Sequence, residues 1–220
     1  MEGGFSLTDA TFLSRLTPED LSRILAGEGL IPLFADRLAN LREAGRVLES
    51  AWEGDVVNLI EAAKGNAIRA VRKVVSSFAS FRDEASHAGR PVYFWKRAQI
   101  FVSDLHSAFQ GSRWGAFDDI ARLTAFADYK LPQVLRELGV ISYHPGLARR
   151  IEGLAYLDAG SEEEIEIRAM TIHAVEELKK AFARTGKPVS AAAVDNWLWQ
   201  LGQSDGFRRR PYHRCRTIFY

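Results

Sequence analysis

Cysteine is almost absent from this 220-residue chain, where Cys215 stands alone. A single thiol excludes an internal disulfide and any cysteine-based zinc site, and it suits a reducing compartment. Long apolar runs are missing as well. No stretch approaches the roughly 20 apolar residues of a membrane span. The opening MEGGFSLTDATF has neither the basic start nor the apolar core of a secretory signal. The expectation is a cytosolic protein with no membrane partner. An excess of one charge is also lacking: 29 Lys and Arg against 28 Asp and Glu leave a net +1. Long polyanions are therefore not expected as partners, because proteins that track phosphates are strongly basic on a face. Linkers, low-complexity tracts and fixed-period repeats do not occur, so residues 1–220 read as one compact domain. Such a domain buries roughly 70% of its unfolded surface. The phosphate-binding loop, the dinucleotide fingerprint, HExxH and GxSxG are all missing. His87, His106, His144, His173 and His213 lack metal-ligand spacing, so neither metal nor cofactor is expected.

What is present is helical periodicity nearly throughout. Thr17-Pro18-Glu19-Asp20 supplies an N-cap, a proline start and early acids, with Gly27 as the stop. Residues 32–50 form an amphipathic stripe. Asp55 caps one long or two abutting helices over 56–81, with Gly65 as the weak point. Phe94, Ala98, Phe101, Val102, Leu105 and Phe109 share one face of a helix running through VYFWKRAQIFVSDLHSAF. A further helix is expected at about 116–127 and another from Pro132 to Gly139. Ser161 and Glu164 form a capping-box pattern before a helix ending near Gly186, and Ser190 starts the next. PYHRCRTIFY alternates polar with apolar residues and reads as extended. The fold expected is all-α, a single multi-helix domain with a short extended C-terminal segment.

Four stretches stand out chemically. In Trp95-Lys96-Arg97, Lys96 projects beside the buried stripe, which fits a solvated flank as well as a site. In FADYKLPQ, Asp128, Tyr129 and Lys130 fall on a helix junction, where Asp128 could cap the next helix or line a cleft. Asp195 and Trp199 are one helical turn apart. A carboxylate beside a flat ring suits a purine-like base, although Trp197 and Trp199 could equally fill core. In Tyr212-His213-Arg214-Cys215-Arg216, an extended backbone puts Arg214 and Arg216 on one face, suited to a phosphate or carboxylate, or else leaves a solvated tail.

In this order, WKRAQIFVSDLH, LTAFADYKLPQVLRELGVI, EEEIEIRAMTIHAVEEL, VDNWLWQLG and PYHRCRTIFY resemble the queuosine salvage proteins. Those are N-glycosidases that release the 7-deazaguanine base queuine from queuosine 5′-phosphate. The resemblance runs from about Phe34 to the last residue. It implies an all-helical fold likened to the helix-hairpin-helix DNA glycosylases, with Asp128 matching the family's essential acid and Lys96 its essential lysine.

Cleaving an N-glycosidic bond develops positive charge on the sugar and negative charge on the departing base. Asp128 would stabilise the oxocarbenium-like sugar, attack it or activate water, with Lys96 assisting. Asp195 would meet the base's N–H edge, Trp199 would stack, and Tyr129 would line the same cleft. Glu166 would reach the ammonium of queuine's side arm. The 5′-phosphate would go to His213, Arg214 or Arg216, together with Arg97. The alternatives are a helical glycosylase acting on DNA bases and a non-catalytic helical module that binds a nucleotide.

Overall fold

The computed structural model describes residues 5–29 and 31–220. The first four residues of the N-terminal stretch read above, and Leu30, lie outside them.

Thr17 and Asp20 form a reciprocal capping box, so α2 (Pro18–Leu25) begins where the sequence predicts. It ends at Leu25, with Ala26 rather than Gly27 as the left-handed C-cap. α1 (Ala10–Ser14) crosses α3 (Phe34–Ala51) at Gly45. A Cβ at Gly45 would lie 2.2 Å from the Ser14 nitrogen, so only hydrogen allows these backbones to approach so closely. Asp55 caps α4 (Val56–Glu61) and Asn66 caps α5 (Ala67–Ser77), so the long segment is two helices broken at Gly65. From α4 and α5, Leu59, Val71 and Val74 join Ala98 and Val102 of α6 (Lys96–Ala108) in one core.

A second core joins Leu131, Val134 and Leu135 of α7 (Lys130–Glu137) to Val175 of α9 (Glu162–Arg184) and to Val194 and Leu198 of α10 (Ala191–Leu201). Between the two lies a small cluster of Phe94, Ala127 and Ile165. α8 (Pro145–Glu152), which the sequence reading left unassigned, packs Ile151 against Leu157 and Ile167.

Four expectations are corrected. The chain is mostly helical but not all-α. β1 (Glu84–His87) and β2 (Arg90–Tyr93) make an antiparallel hairpin, and β3 (Tyr156–Leu157) pairs in parallel with β4 (Arg214–Cys215). The hairpin takes the residues before Phe94 out of the expected helix. Trp95, left-handed at φ 46°, turns the chain so that α6 starts at Lys96.

The helix expected at 116–127 is absent. A 3-10 turn at Ile120–Arg122 leads into extended backbone, with Leu123, Ala125 and Ala127 buried at a period of two. Side chains replace the helical hydrogen bonds there: Thr124 N–H donates to Gln99 Oε1 at 2.9 Å and Phe126 N–H to Asp195 Oδ2 at 2.7 Å. Finally, α7 begins two residues before Pro132, which sits inside its first turn, where a missing N–H costs nothing.

Candidate active site

The seam between the two cores carries buried charge. The extended segment brings Asp128 to its edge, 8% exposed, just ahead of α7. Its Oδ1 accepts the N–H groups of Lys130 at 2.8 Å and Leu131 at 3.0 Å. Both bonds use the same oxygen, so the capping reading is correct and still leaves Oδ2 uncommitted.

Lys96 enters from the first turn of α6. It is drawn in from the flank: burial pushes its ammonium below the usual lysine range, while Asp128 and Asp195 oppose that shift. Asp195 reaches the same place from α10, 7% exposed, with Oδ2 held by the Phe126 N–H. Burial pushes its carboxyl up to about 7; Asp128 adds to the rise, while the Phe126 N–H and Lys96 counter it. Two carboxylates and one ammonium from three elements therefore feel one another's charge. Bringing them together is a tertiary effect.

Two adjoining cavities, of about 440 Å³ and 380 Å³, share Tyr129 and Tyr212, whose rings lie 4.6 Å apart at 41°. Tyr129 follows Asp128 directly. Trp199 lines the smaller cavity with Lys130 and Arg208, and His213 and Arg214 line the larger. Trp197 and Trp199 are both about half exposed, which overturns the reading that they fill core. Asp195 and Trp199 thus sit one turn apart in different surroundings, the acid with Lys96 and the ring on the aromatic cavity.

The basic residues separate. Arg97 lies over Phe81 at 4.5 Å and donates to the carbonyls of Ser80 at 3.2 Å and Ile218 at 3.4 Å. With Lys96 and Arg37 it lines a third cavity of about 460 Å³. Arg214 is half-buried, whereas Arg216 is exposed beside the Tyr156 ring. His213 is 1% exposed, and burial, reinforced by Arg168, pushes its imidazole down to about 4. It is therefore neutral near pH 7 and offers a hydrogen bond rather than a charge to any anion.

Glu166 is exposed, and its carboxylate meets His87 Nε2 at 3.2 Å. Two residues from Arg168 on α9, it faces another way from the buried charges. His87, Glu162 and Glu166 are, among the described residues, a group whose ligand atoms lie within 4.8 Å of one another and could hold a cation. The hairpin brings that histidine to α9, which sequence spacing could not reveal.

Arg168, Asp83, Glu164 and Tyr220 escaped the sequence reading as site candidates. Arg168 and Asp83, 3% and 2% exposed, form a bidentate pair with contacts of 3.0 and 2.5 Å. Glu164 lies 3.4 Å from Arg168 Nη1 and accepts the Tyr220 hydroxyl proton at 2.8 Å. The guanidinium is sandwiched between Phe94 at 3.8 Å and Tyr220 at 4.7 Å. One signal was available: Glu164 and Arg168 stand i, i+4 within the apolar run that Ile165, Ile167 and Val175 mark as buried.

The profile of the family described as queuosine salvage protein matches residues 1–220. A protein of Sphaerobacter thermophilus named queuosine 5′-phosphate N-glycosylase/hydrolase is 50% identical over 220 residues, which are 100% of this chain and 68% of that one. Proteins of the same name are 40% identical in Dictyostelium discoideum, over 96% of this chain and 65% of that one, and 30% identical in Mus musculus, over 100% and 68%. The chain thus spans about two thirds of these relatives' length. No helix among the described residues is long and apolar enough to cross a membrane.

Proposed function

The chain belongs to the queuosine salvage protein family, and we propose that it hydrolyses the N-glycosidic bond of queuosine 5′-phosphate, residues 1–220 acting as one unit. The observation that carries this reading is that Lys96, Asp128 and Asp195, brought from three separate elements, lie within electrostatic reach of one another, with Tyr129, next to Asp128, lining an aromatic cavity.

In this reading Asp128 faces the anomeric carbon with its unengaged oxygen. There it stabilises the oxocarbenium-like transition state directly or by holding water. Lys96 offsets the negative charge of the two acids so that they can share one site. A 7-deazaguanine has carbon where guanine has N7, so its departure needs a proton or donor elsewhere on the ring. Asp195, protonated over much of the range below about pH 7, supplies it at the base's polar edge. Tyr129 and Trp199 provide ring surfaces for the base, and stacking of this kind contributes about 1–3 kcal/mol.

Arg97, with Lys96 and Arg37, takes the 5′-phosphate in the cavity that these three residues line. Arg214 and His213 border the aromatic cavity as polar contacts. Glu166 would have to leave His87 to reach the substrate, and Arg216 lies outside, so neither belongs to the set.

Incubating the protein with queuosine 5′-phosphate and detecting free queuine by mass spectrometry tests the proposal. Time-dependent release proportional to enzyme is expected. Binding without release would leave a nucleotide-binding module instead.

A further inference from the structure

Arg168 spends every edge of its guanidinium on protein. Nη1 and Nη2 grip the two oxygens of Asp83, Nη1 also faces Glu164, and Nε donates to the Ala127 carbonyl at 3.2 Å. Phe94 and Tyr220 close its two faces. At 3% exposure and outside the linings of the three cavities, the residue is committed to protein rather than to a ligand.

Two of these partners, Ala127 and Asp83, stand next to a candidate catalytic group. Ala127 carries the peptide immediately before Asp128. Asp83 closes the β1–β2 hairpin, its carbonyl accepting the N–H groups of Phe94 at 3.0 Å and Trp95 at 3.1 Å. Its Oδ2 also accepts the Lys96 N–H at 3.4 Å. A single rigid fork therefore ties the start of α6 to the extended segment that delivers Asp128.

We infer that Arg168, acting through Asp83 and the Ala127 carbonyl, is a positioning residue that fixes the separation of Lys96 and Asp128. The inference rests on the glycosidase reading above. Stability alone does not account for such a cluster, because buried ion pairs are commonly matched or exceeded by apolar residues of equal volume. A planar fork does what an apolar group cannot: it sets the angle and distance between two backbone segments. Its charge adds a second effect. Arg168 disfavours the Lys96 ammonium and Asp83 favours it, alongside Asp128 and Asp195.

The test uses Arg168→Lys, which keeps the charge and loses the fork, and Asp83→Asn, which keeps the shape and loses the charge. Both are assayed for queuine release across pH, with circular dichroism to measure the folded fraction. For Arg168→Lys we expect kcat to fall about tenfold or more per folded molecule, with KM within about threefold of wild type. Above the limb near pH 7 on which Asp195 loses its proton, a further decline on which Lys96 loses its own stays in place in Arg168→Lys and moves to lower pH in Asp83→Asn. Wild-type kcat in Arg168→Lys, or a loss that merely follows the folded fraction, would overturn the inference. If Arg168→Lys fails to fold, Asp83→Asn decides, and a wild-type rate and pH profile there overturns it. These failures occur in a protein that still releases queuine; no release by the unaltered protein refutes the glycosidase reading itself, and the positioning role with it.

Discussion

The backbone N–H of Lys130 donates to Oδ1 of Asp128 at 2.8 Å. One oxygen of the candidate catalytic acid thus holds the first turn of α7, with the Leu131 N–H at 3.0 Å as the second bond. Capping and catalysis are compatible because a carboxylate has two oxygens, and the cap orients the other one. The same contact makes substitution here clean to interpret.

An asparagine retains the Oδ1 acceptor. Asp128→Asn should therefore melt within about 5 °C of wild type while queuine release falls by about 10²-fold or more. Asp128→Ala should lose the activity and also about 1 kcal/mol of capping. Chromatography of the free base and thermal melts by circular dichroism measure both. Near-wild-type turnover in Asp128→Asn would remove this residue from the mechanism.

Asp195 and His213 should tilt the pH dependence of stability in opposite directions. Asp195 titrates near 7 in the fold against an ordinary 3.8, so the native state holds the extra proton and stability falls as pH rises through that window. His213 titrates near 4 against 6.5, so the unfolded state holds the extra proton and stability falls as pH drops from 6.5 to 4. Between pH 4 and 6.5 the two slopes oppose each other. Asp195→Asn, whose amide oxygen can still accept from Phe126 N–H, should leave a profile that climbs across that range. His213→Gln should leave one that declines. Urea melts at a series of pH values distinguish the three proteins, and parallel profiles would contradict both assignments.

Arg97 should govern discrimination by the phosphate. Arg97→Ala is expected to raise KM for queuosine 5′-phosphate about tenfold and to change kcat/KM for the unphosphorylated nucleoside far less. Because Arg97 also holds the Ser80 and Ile218 carbonyls, the nucleoside serves as the internal control for misfolding. Equal losses on both substrates would move the phosphate elsewhere. Equal rates for the two substrates in the wild-type protein would mean that no phosphate site operates.

Glu166 is engaged by His87 on an exposed surface. Glu166→Gln should keep kcat/KM within about threefold of wild type, since exposed ion pairs contribute about 1 kcal/mol or less. A loss of about a hundredfold would instead place this carboxylate on the substrate's ammonium.

The helices that begin on strong local signals were legible from the chain alone. Thr17 with Asp20, Asp55, Ser161 and Ser190 cap where they were expected to, because a capping side chain bonds within three residues of itself. The expected helix at 116–127 failed for the opposite reason. The bonds that hold 123–128 extended come from Gln99, Asp195 and Arg168, which local composition does not contain. The period-two burial of Leu123, Ala125 and Ala127 was written in the sequence, but helix-favouring Ala and Leu masked it.

The site divides along the same line. The ordered stretches around Lys96, Asp128, Glu166 and Asp195, with the terminal aromatic segment, were enough to pick out the family. That Asp128 is both cap and candidate catalyst, that Asp195 titrates near neutrality and His213 stays neutral, and that Arg168 ties the pieces together were decided by tertiary structure. Burial and the approach of charges from distant segments set proton affinity and geometry. Neither quantity exists until the chain has folded.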